Sequence, residues 1–202
     1  MMHRPPPRRI VLLLMIVPLL LSCAETKRWV ASKDIPAPWS SAEEVAPSSA
    51  QAAKLAEKHR VAGEYQQAID IYQEAYQRQP DDQTLVKAYV KSIEKIISAA
   101  DKAFDQQDFA SAGKTYDILL KNHAHFKGFQ KQRSFNRTLL DEKLDYCQKA
   151  LYQQGFQEYR NGNIDEAIAI WQDLLTIDPD NKDIQEALKT ARLQQKNLRE
   201  QD

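Results

Sequence analysis

Three stretches of the chain repeat one spacing of small and aromatic residues, and this repetition constrains the fold more than any other feature of the sequence. In each stretch an alanine is followed four positions later by an aromatic residue, and two of the stretches end at a proline. The pairs are Ala68 with Tyr72, Ala112 with Tyr116, and Ala167 with Trp171, and the prolines are Pro80 and Pro179. Steps of three and four residues place side chains on one stripe of an α-helix, so each stretch is predicted to be a helix.

The two residue types have a mechanical role in a pair of antiparallel helices. A small alanine lets the preceding helix approach closely, and the aromatic ring one turn later fills the gap towards the next helix. Proline cannot continue a helix, because it lacks the amide hydrogen and its ring clashes with the preceding turn. A polar turn, such as residues 63–64, precedes each stretch and separates it from an earlier helix. The sequence therefore predicts helical hairpins packed side by side.

The pattern resembles the second half of the tetratricopeptide repeat, in which an alanine, an aromatic residue and a proline follow in this order. The first helices match that family less well. Their close-contact position keeps a small residue (Ala56, Ala100 or Gly155), but the tyrosine of the family is absent. The resemblance implies a helical solenoid whose groove, lined by the first helices, binds a peptide or a protein domain.

The repeat length departs from that of the family, which is about 34 residues. Pro80 and Ala124, at equivalent ends of the first two stretches, are 44 residues apart, and Ala124 and Pro179 are 55 residues apart. An unbroken apolar stripe over residues 85–104, and another that runs back from residue 151 to residue 140, predict that two first helices are lengthened.

Polar residues that commonly begin helices occur where these boundaries require them. They are Ser48 with Gln51, Asp82, and Asp180 or Asn181. A final helix at residues 182–198, with a charged outer face, would close the array. The predicted fold is all-α: a short, tetratricopeptide-like solenoid over residues 48–202, with lengthened helices and a C-terminal capping helix, preceded by a flexible linker.

The beginning of the chain has the pattern of an export signal. Three arginines precede an apolar run at residues 10–21, which is too short to span a bilayer and is typical of a secretory signal peptide. Ser22 followed by Cys23 resembles the lipobox of bacterial lipoproteins. That resemblance implies removal of residues 1–22 and acylation of Cys23, and Ala24 implies the periplasmic face of the outer membrane. The alternative is an ordinary signal peptide with a chance cysteine.

Residues 23–47 are predicted to be a lipid-bearing N-terminus and a flexible linker, because they contain three prolines and several serines and show no helical period. As a flexible coil, a segment of this length spans roughly 25–30 Å. It would hold the folded part of the chain away from the membrane.

No constellation of residues indicates catalysis. The chain lacks the G-x-S-x-G motif of a hydrolase and any glycine-rich phosphate loop, and it has only 5 glycines. His123 and His125 have no evident third metal ligand, and Cys147 lies on an apolar stripe as an inert hydrophobic residue. The formal net charge of zero gives no indication of nucleic-acid binding. We therefore predict a chain that is not an enzyme and that uses no cofactor and no metal.

One segment, residues 118–140, contains five lysines and arginines and no acidic residue, with phenylalanines interleaved. Its candidate partner-binding residues are Phe126, Lys127, Phe129, Lys131 and Arg133. Basic and aromatic side chains together would suit an anionic protein, a lipid headgroup layer or peptidoglycan. The alternative is that the phenylalanines pack against neighbouring helices and the lysines face water.

Together these features predict a lipid-anchored, non-catalytic scaffold in the bacterial cell envelope. Its expected partners are other envelope proteins, for example in the assembly of an envelope machine, and the membrane, through the acyl chains. A short array of long helices also favours self-association. The alternative function is that of a cell-wall accessory, which binds peptidoglycan or regulates a cell-wall enzyme.

Overall fold

A computed structural model of the chain describes residues 47–200, and every regular element among them is a helix. In chain order the helices are α1 (Ser49–Val61), α2 (Tyr65–Arg78), α3 (Gln83–Asp105), α4 (Phe109–Lys121), a 3₁₀ helix (His123–Phe129), α5 (Arg137–Asn161), α6 (Ile164–Ile177) and α7 (Lys182–Arg199). The all-α prediction is confirmed for this part of the chain. None of these helices is long and apolar enough to cross a bilayer. Cys23, the predicted signal peptide at residues 1–22 and the linker up to residue 46 lie outside the described residues.

The helices form three hairpins, α1–α2, α3–α4 and α5–α6, and α7 follows as a capping helix. Each hairpin packs on the next element through its second helix: α2 lies against α3, α4 against α5, and α6 against α7. This stacking in chain order confirms the predicted solenoid. The first helices of successive hairpins differ in how closely they pack on each other. α1 packs on α3, whereas α3 and α5 do not pack closely in the described part of the chain.

The three hairpin turns share one backbone conformation. A residue with positive φ follows the first helix of each hairpin: Gly63 at 81°, Gln107 at 60° and Gly162 at 85°. The amide of this residue donates to the carbonyl three residues earlier, and the next amide donates to the carbonyl five residues earlier. This pair of bonds is the Schellman motif, which satisfies carbonyls that a helix end leaves free. Gln107 adopts the left-handed conformation without the freedom of glycine, which costs about 1–2 kcal/mol.

Side-chain caps begin α1, α3 and α7 as the sequence predicts. The Ser48 hydroxyl accepts from the Gln51 amide, and the Gln51 side chain accepts from the Ser48 amide at 2.9 Å, so the capping box is complete. The side chains of Asp82 and Asn181 accept hydrogen bonds from amides in the first turns of α3 and α7. These acceptors satisfy amides that have no partner within the helix.

The second helices of the first and third hairpins end two residues before a proline. Gln79 and Asp178, which precede Pro80 and Pro179, have φ values of −138° and −140°. A proline disfavours the helical conformation of the preceding residue, which explains these shared helix ends. The second hairpin has Ala124 at the equivalent position, and α4 is followed there by the 3₁₀ helix.

The small and aromatic residues of the repeats lie in the core of the hairpins. Ala68, Ala112, Tyr116, Ala167 and Trp171 are fully buried, and Tyr72 is nearly so. Gly155, on α5, is buried against Trp171 on α6. A Cβ added at Gly155 would lie 2.5 Å from Trp171 Cδ1, so only hydrogen fits at this position.

A loop covers the part of α3 that its hairpin partner does not reach. α3 has 23 residues and α4 has 13. Residues 122–136, which we call the insert, fold back over α2 and α3. The Phe129 ring centroid lies 5.3 Å from that of Tyr89 on α3 and 5.3 Å from that of Tyr76 on α2. The surplus of the second repeat is therefore a longer first helix, α3, and the surplus of the third repeat is the insert together with α5, which has 25 residues and is also lengthened as predicted.

Candidate functional site

The structure separates the aromatic members of the candidate set in residues 118–140 from the basic ones. Phe126 and Phe129 are 0% and 2% exposed. Their ring centroids lie 6.1 Å and 5.3 Å from that of Tyr89. The prediction that these phenylalanines line a binding surface is corrected, because α2 and α3 present aromatic rings that bury them. They are the anchors of the insert.

The basic members of the set lie on the outer side of the insert. Lys127 and Lys131 are exposed, and neither forms an ion pair with any residue in the range 47–200. Arg133 is half-buried, and its Nη2 donates to His123 Nε2 at 2.9 Å. Burial lowers the pKa of His123, and the charges of Arg133, Arg137 and Lys127 lower it further. The imidazole is therefore a neutral acceptor at pH 7.

A groove lies between the C-terminal end of α3 and the middle of α5, with a cavity volume of about 500 Å³. We call it the α3–α5 groove. Three aromatic rings form its floor: the Phe104 centroid lies 5.1 Å from that of Tyr146 and 5.7 Å from that of Phe109, and Phe109 and Tyr146 are 5.6 Å apart. Tyr146 is 54% exposed. A large aromatic ring is thus presented to solvent where the first helices of two hairpins face each other.

Amide side chains surround this aromatic floor. They are Gln107, Gln153, Gln154 and Gln157, and Asp105 adds a carboxylate. No lysine or arginine belongs to the described lining of the groove. Each glutamine amide can both donate and accept hydrogen bonds, so the rim can pair with a peptide backbone or with hydroxyl groups.

Lys143, on α5, links the two helices beside the groove. Its Nζ lies 4.0 Å from the Phe104 ring centroid and 3.8 Å from Asp101 Oδ1. Asp101 also accepts a hydrogen bond from Tyr116 Oη at 2.7 Å. Burial raises the pKa of Tyr116, and the Asp101 carboxylate raises it further, so the phenol remains a donor. These contacts connect α3, α4 and α5 through side chains.

Beside this region the described residues include a free cysteine, Cys147. Cys147 follows Tyr146 in the chain but is fully buried, and burial raises the pKa of its thiol to about 11. The thiol is therefore protonated at neutral pH and is a poor nucleophile. Within residues 47–200, no three His, Cys, Asp or Glu side chains are grouped as metal ligands, and His123 and His125 stand without a third ligand.

Sequence reasoning did not single out the residues of this groove. The available signal was weak: Tyr146 lies beside Cys147, which belongs to the apolar stripe, and three glutamines follow within residues 153–157. Glutamine is a common residue on exposed helix surfaces, so its accumulation there does not by itself indicate a site.

The third hairpin carries a recognisable repeat signature. Residues 149–181, which include the second half of α5 and all of α6, match a family model described as tetratricopeptide repeat. No curated protein and no solved structure matches the chain. The match supports tetratricopeptide-like repeats, and the first two hairpins share the turn geometry of the third at Gly63, Gln107 and Gly162.

Proposed function

We propose that this chain is a non-catalytic interaction scaffold of the bacterial cell envelope, which binds a segment of a partner protein in the α3–α5 groove. The observation that carries the proposal is the exposed ring of Tyr146 between the first helices of two tetratricopeptide-like hairpins. Repeats of this kind mediate protein–protein interaction, and the family resemblance places their ligand against the first helices. Anchoring through Cys23 is the envelope part of the proposal.

The groove fits an extended peptide with one apolar anchor residue. The rings of Phe104, Phe109 and Tyr146 would bury that side chain, because buried aromatic surface dominates the energetics of such contacts. The glutamine amides would pair with the peptide backbone. Since Asp105 supplies the charge among the described lining residues, we expect affinity to depend weakly on salt.

Site-specific photocrosslinking in cells tests the proposal. A photoreactive amino acid at Gln153 in the groove should crosslink a defined partner that mass spectrometry identifies. The same amino acid at Glu186, on the exposed face of α7, is the matched control. Tyr146→Ala should abolish the adduct without unfolding the domain, since this side chain is largely exposed. Equal adducts at both positions, or an adduct unaffected by Tyr146→Ala, would contradict partner binding in the groove.

The envelope part of the proposal has its own test. Cys23→Ser should prevent acylation and processing and should remove the chain from the outer-membrane fraction, because several acyl chains are needed for stable anchoring. Floating the fractions on a density gradient separates inner from outer membrane. A Cys23→Ser chain that is still processed and still sediments with the outer membrane would contradict lipid anchoring.

A cell-wall role is the second candidate, and the chemistry of the same groove favours it. An exposed tyrosine ring flanked by amides also suits a sugar ring, whose hydroxyls pair with polar side chains while its apolar face packs on the aromatic. Isolated sacculi should then retain the chain, and Tyr146→Ala should release it. Retention that is independent of Tyr146, or no retention, would contradict this function.

A further inference from the structure

The outer side of the insert carries an excess of positive charge that neighbouring side chains do not neutralise. Within residues 118–140 there is no aspartate or glutamate. Lys121 pairs with Asp117 and Arg137 with Asp141, at 2.6 Å and 3.4 Å. The two lysines between them in the chain, Lys127 and Lys131, are exposed and have no ion-pair partner among residues 47–200, as noted above. The insert therefore presents positive charges that remain available to a ligand.

These charges are held on an ordered backbone. Phe126, Phe129 and Phe135 fix the insert from inside, and all three are buried. The Ser134 amide donates to Glu94 Oε1 at 2.8 Å, which attaches the end of the insert to α3. The lysines are thus displayed on one side of a packed loop.

Arg133 adds a charge whose hydrogen-bonding capacity is only partly used. Its Nη2 donates to His123, but its Nε and Nη1 are buried and have no hydrogen-bond partner among the described residues. The guanidinium lies 5.2 Å from the Phe135 ring centroid. Buried donors are normally paired, and a group left unpaired commonly indicates a bound water or ion. Three cations lower the pKa of His123 and one acid, Asp141, raises it, while the Glu94 carboxylate acts on Arg133, so positive charges outnumber negative ones at this point.

The composition of this face distinguishes between kinds of partner. Its exposed residues are Lys127, Gly128, Gln130, Lys131 and Gln132, and the aromatic residues of the insert are turned inwards. Protein interfaces depend on aromatic and apolar anchors at their centre, and this face offers none among the described residues. Binding to a diffuse anionic surface, by contrast, requires only positive charge on the protein.

We infer that this face of the insert docks on the phosphates of anionic lipid headgroups. For proximity the inference rests on the proposed Cys23 anchor, because a linker of this length keeps the domain within roughly 30 Å of the bilayer. Each lysine near such a surface strengthens the docked state about fivefold. The contact would fix which side of the solenoid faces the membrane and leave the α3–α5 groove free for its own ligand.

Energy transfer in vesicles tests the inference on the full lipidated chain. A donor dye at Gln130→Cys reports distance to acceptor-labelled lipid, and the thiol of Cys147 is buried and protected from the label. We expect strong transfer in vesicles of equal parts phosphatidylglycerol and phosphatidylcholine, weak transfer in phosphatidylcholine alone, and loss of the difference in high salt. Lys127→Gln with Lys131→Gln should reduce the docked-to-undocked ratio about 25-fold. Lys182→Gln with Lys189→Gln, on exposed α7 positions, should leave it unchanged.

The outcomes separate the two proposals. Equal transfer in both vesicle types, with the chain still floating with the vesicles, overturns lipid docking and leaves the anchor intact. A chain that floats with neither vesicle type overturns the anchor instead. A titration with inorganic phosphate tests the remaining alternative. If phosphate saturably shifts the NMR signals of the His123 imidazole and the energy transfer does not depend on lipid composition, the site binds free phosphate and the lipid inference is overturned.

Discussion

Replacing Gly155 by alanine should destabilise the domain, although alanine is the better helix former. The added methyl would lie 2.5 Å from Trp171 Cδ1 and 3.0 Å from Cε2, and it would also overlap Nε1. The indole has no room to withdraw, because it is fully buried and its centroid lies 5.0 Å from that of Phe156 and 5.6 Å from that of Tyr159. The backbones of α5 and α6 must separate instead.

The magnitude follows from two opposing contributions. Forcing an extra methyl into a filled core costs about 1–3 kcal/mol. Alanine regains up to about 1 kcal/mol over glycine inside a helix. The distance from the added Cβ to Trp171 Cδ1 is shorter than real Cβ atoms show, so the packing cost lies at the upper end of this range of about 1–3 kcal/mol. We expect a net loss of about 1–2 kcal/mol, which lowers Tm by about 2–8 °C for a domain of this size.

Urea unfolding followed by circular dichroism measures this loss as a lower midpoint with an unchanged slope. Gly128→Ala is the matched control, because a Cβ there would lie an ordinary 3.5 Å from Tyr76 Oη. That variant should change the free energy of unfolding by less than about 0.5 kcal/mol. A Gly155→Ala domain as stable as the native one would refute the reasoning.

A double-mutant cycle identifies the cause of the loss. Trp171→Phe shortens the ring next to Gly155 and also removes the indole N–H, which is buried without a partner among residues 47–200. If the methyl and the indole compete for the same space, the double variant should lose less unfolding free energy than the two single variants together. The difference should be about 0.5–3 kcal/mol. Strict additivity would show that the methyl clashes elsewhere.

Three further predictions concern the turns, the first hairpin and the insert. Gln107→Gly relieves the strain of the left-handed backbone, but the added flexibility of glycine in the unfolded chain offsets part of the gain. We expect a net rise in the unfolding free energy of about 0.5–1 kcal/mol. A lower urea midpoint would contradict this. The hydrogen bond from Arg60 is the main reason that the pKa of Glu57 falls from 4.5 to about 2, so its carboxylate stabilises the fold above pH 4.5 and this stabilisation is lost as the pH falls towards 2. Because Glu57 is over a third exposed, Glu57→Gln should cost only about 1 kcal/mol at pH 7 and should flatten the acid limb of a stability–pH curve. Asn122 is buried, and its amide donates a hydrogen bond to the side chain of Gln66. Asn122→Ala should leave the Gln66 amide without this partner and lower the free energy of unfolding, measured in urea, by about 1–3 kcal/mol.

The sequence was informative where structure is decided locally. Steps of three and four residues around Ala68, Ala112 and Ala167 determine a helix face, and Pro80 and Pro179 end helices through their own backbone geometry. The apolar stripe over residues 85–104 predicted the length of α3 for the same reason. These features depend on residues within a few turns of one another, so a single sequence reveals them.

The placement of the insert depends on residues far away in the chain. Phe126 and Phe129 are buried because Tyr89 and Tyr76, between 37 and 53 positions earlier, present rings to them. Nothing near residues 123–129 distinguishes a buried phenylalanine from an exposed one. The α3–α5 groove was missed for a related reason, since it forms only when Phe104 and Tyr146 come together from two different repeats.

Side chains rather than closely packed backbones bridge the gap between α3 and α5. By contrast, α4 is packed tightly on α5, where a Cβ at Gly113 would lie only 3.2 Å from Cys147 Cβ. A wider groove would therefore require breaking the Lys143–Asp101 ion pair and the Phe104–Tyr146 contact. An entering apolar side chain would replace the aromatic contact as it forms. We therefore expect that opening the proposed binding groove costs one ion pair and one aromatic contact, while the packing of α4 on α5 is kept.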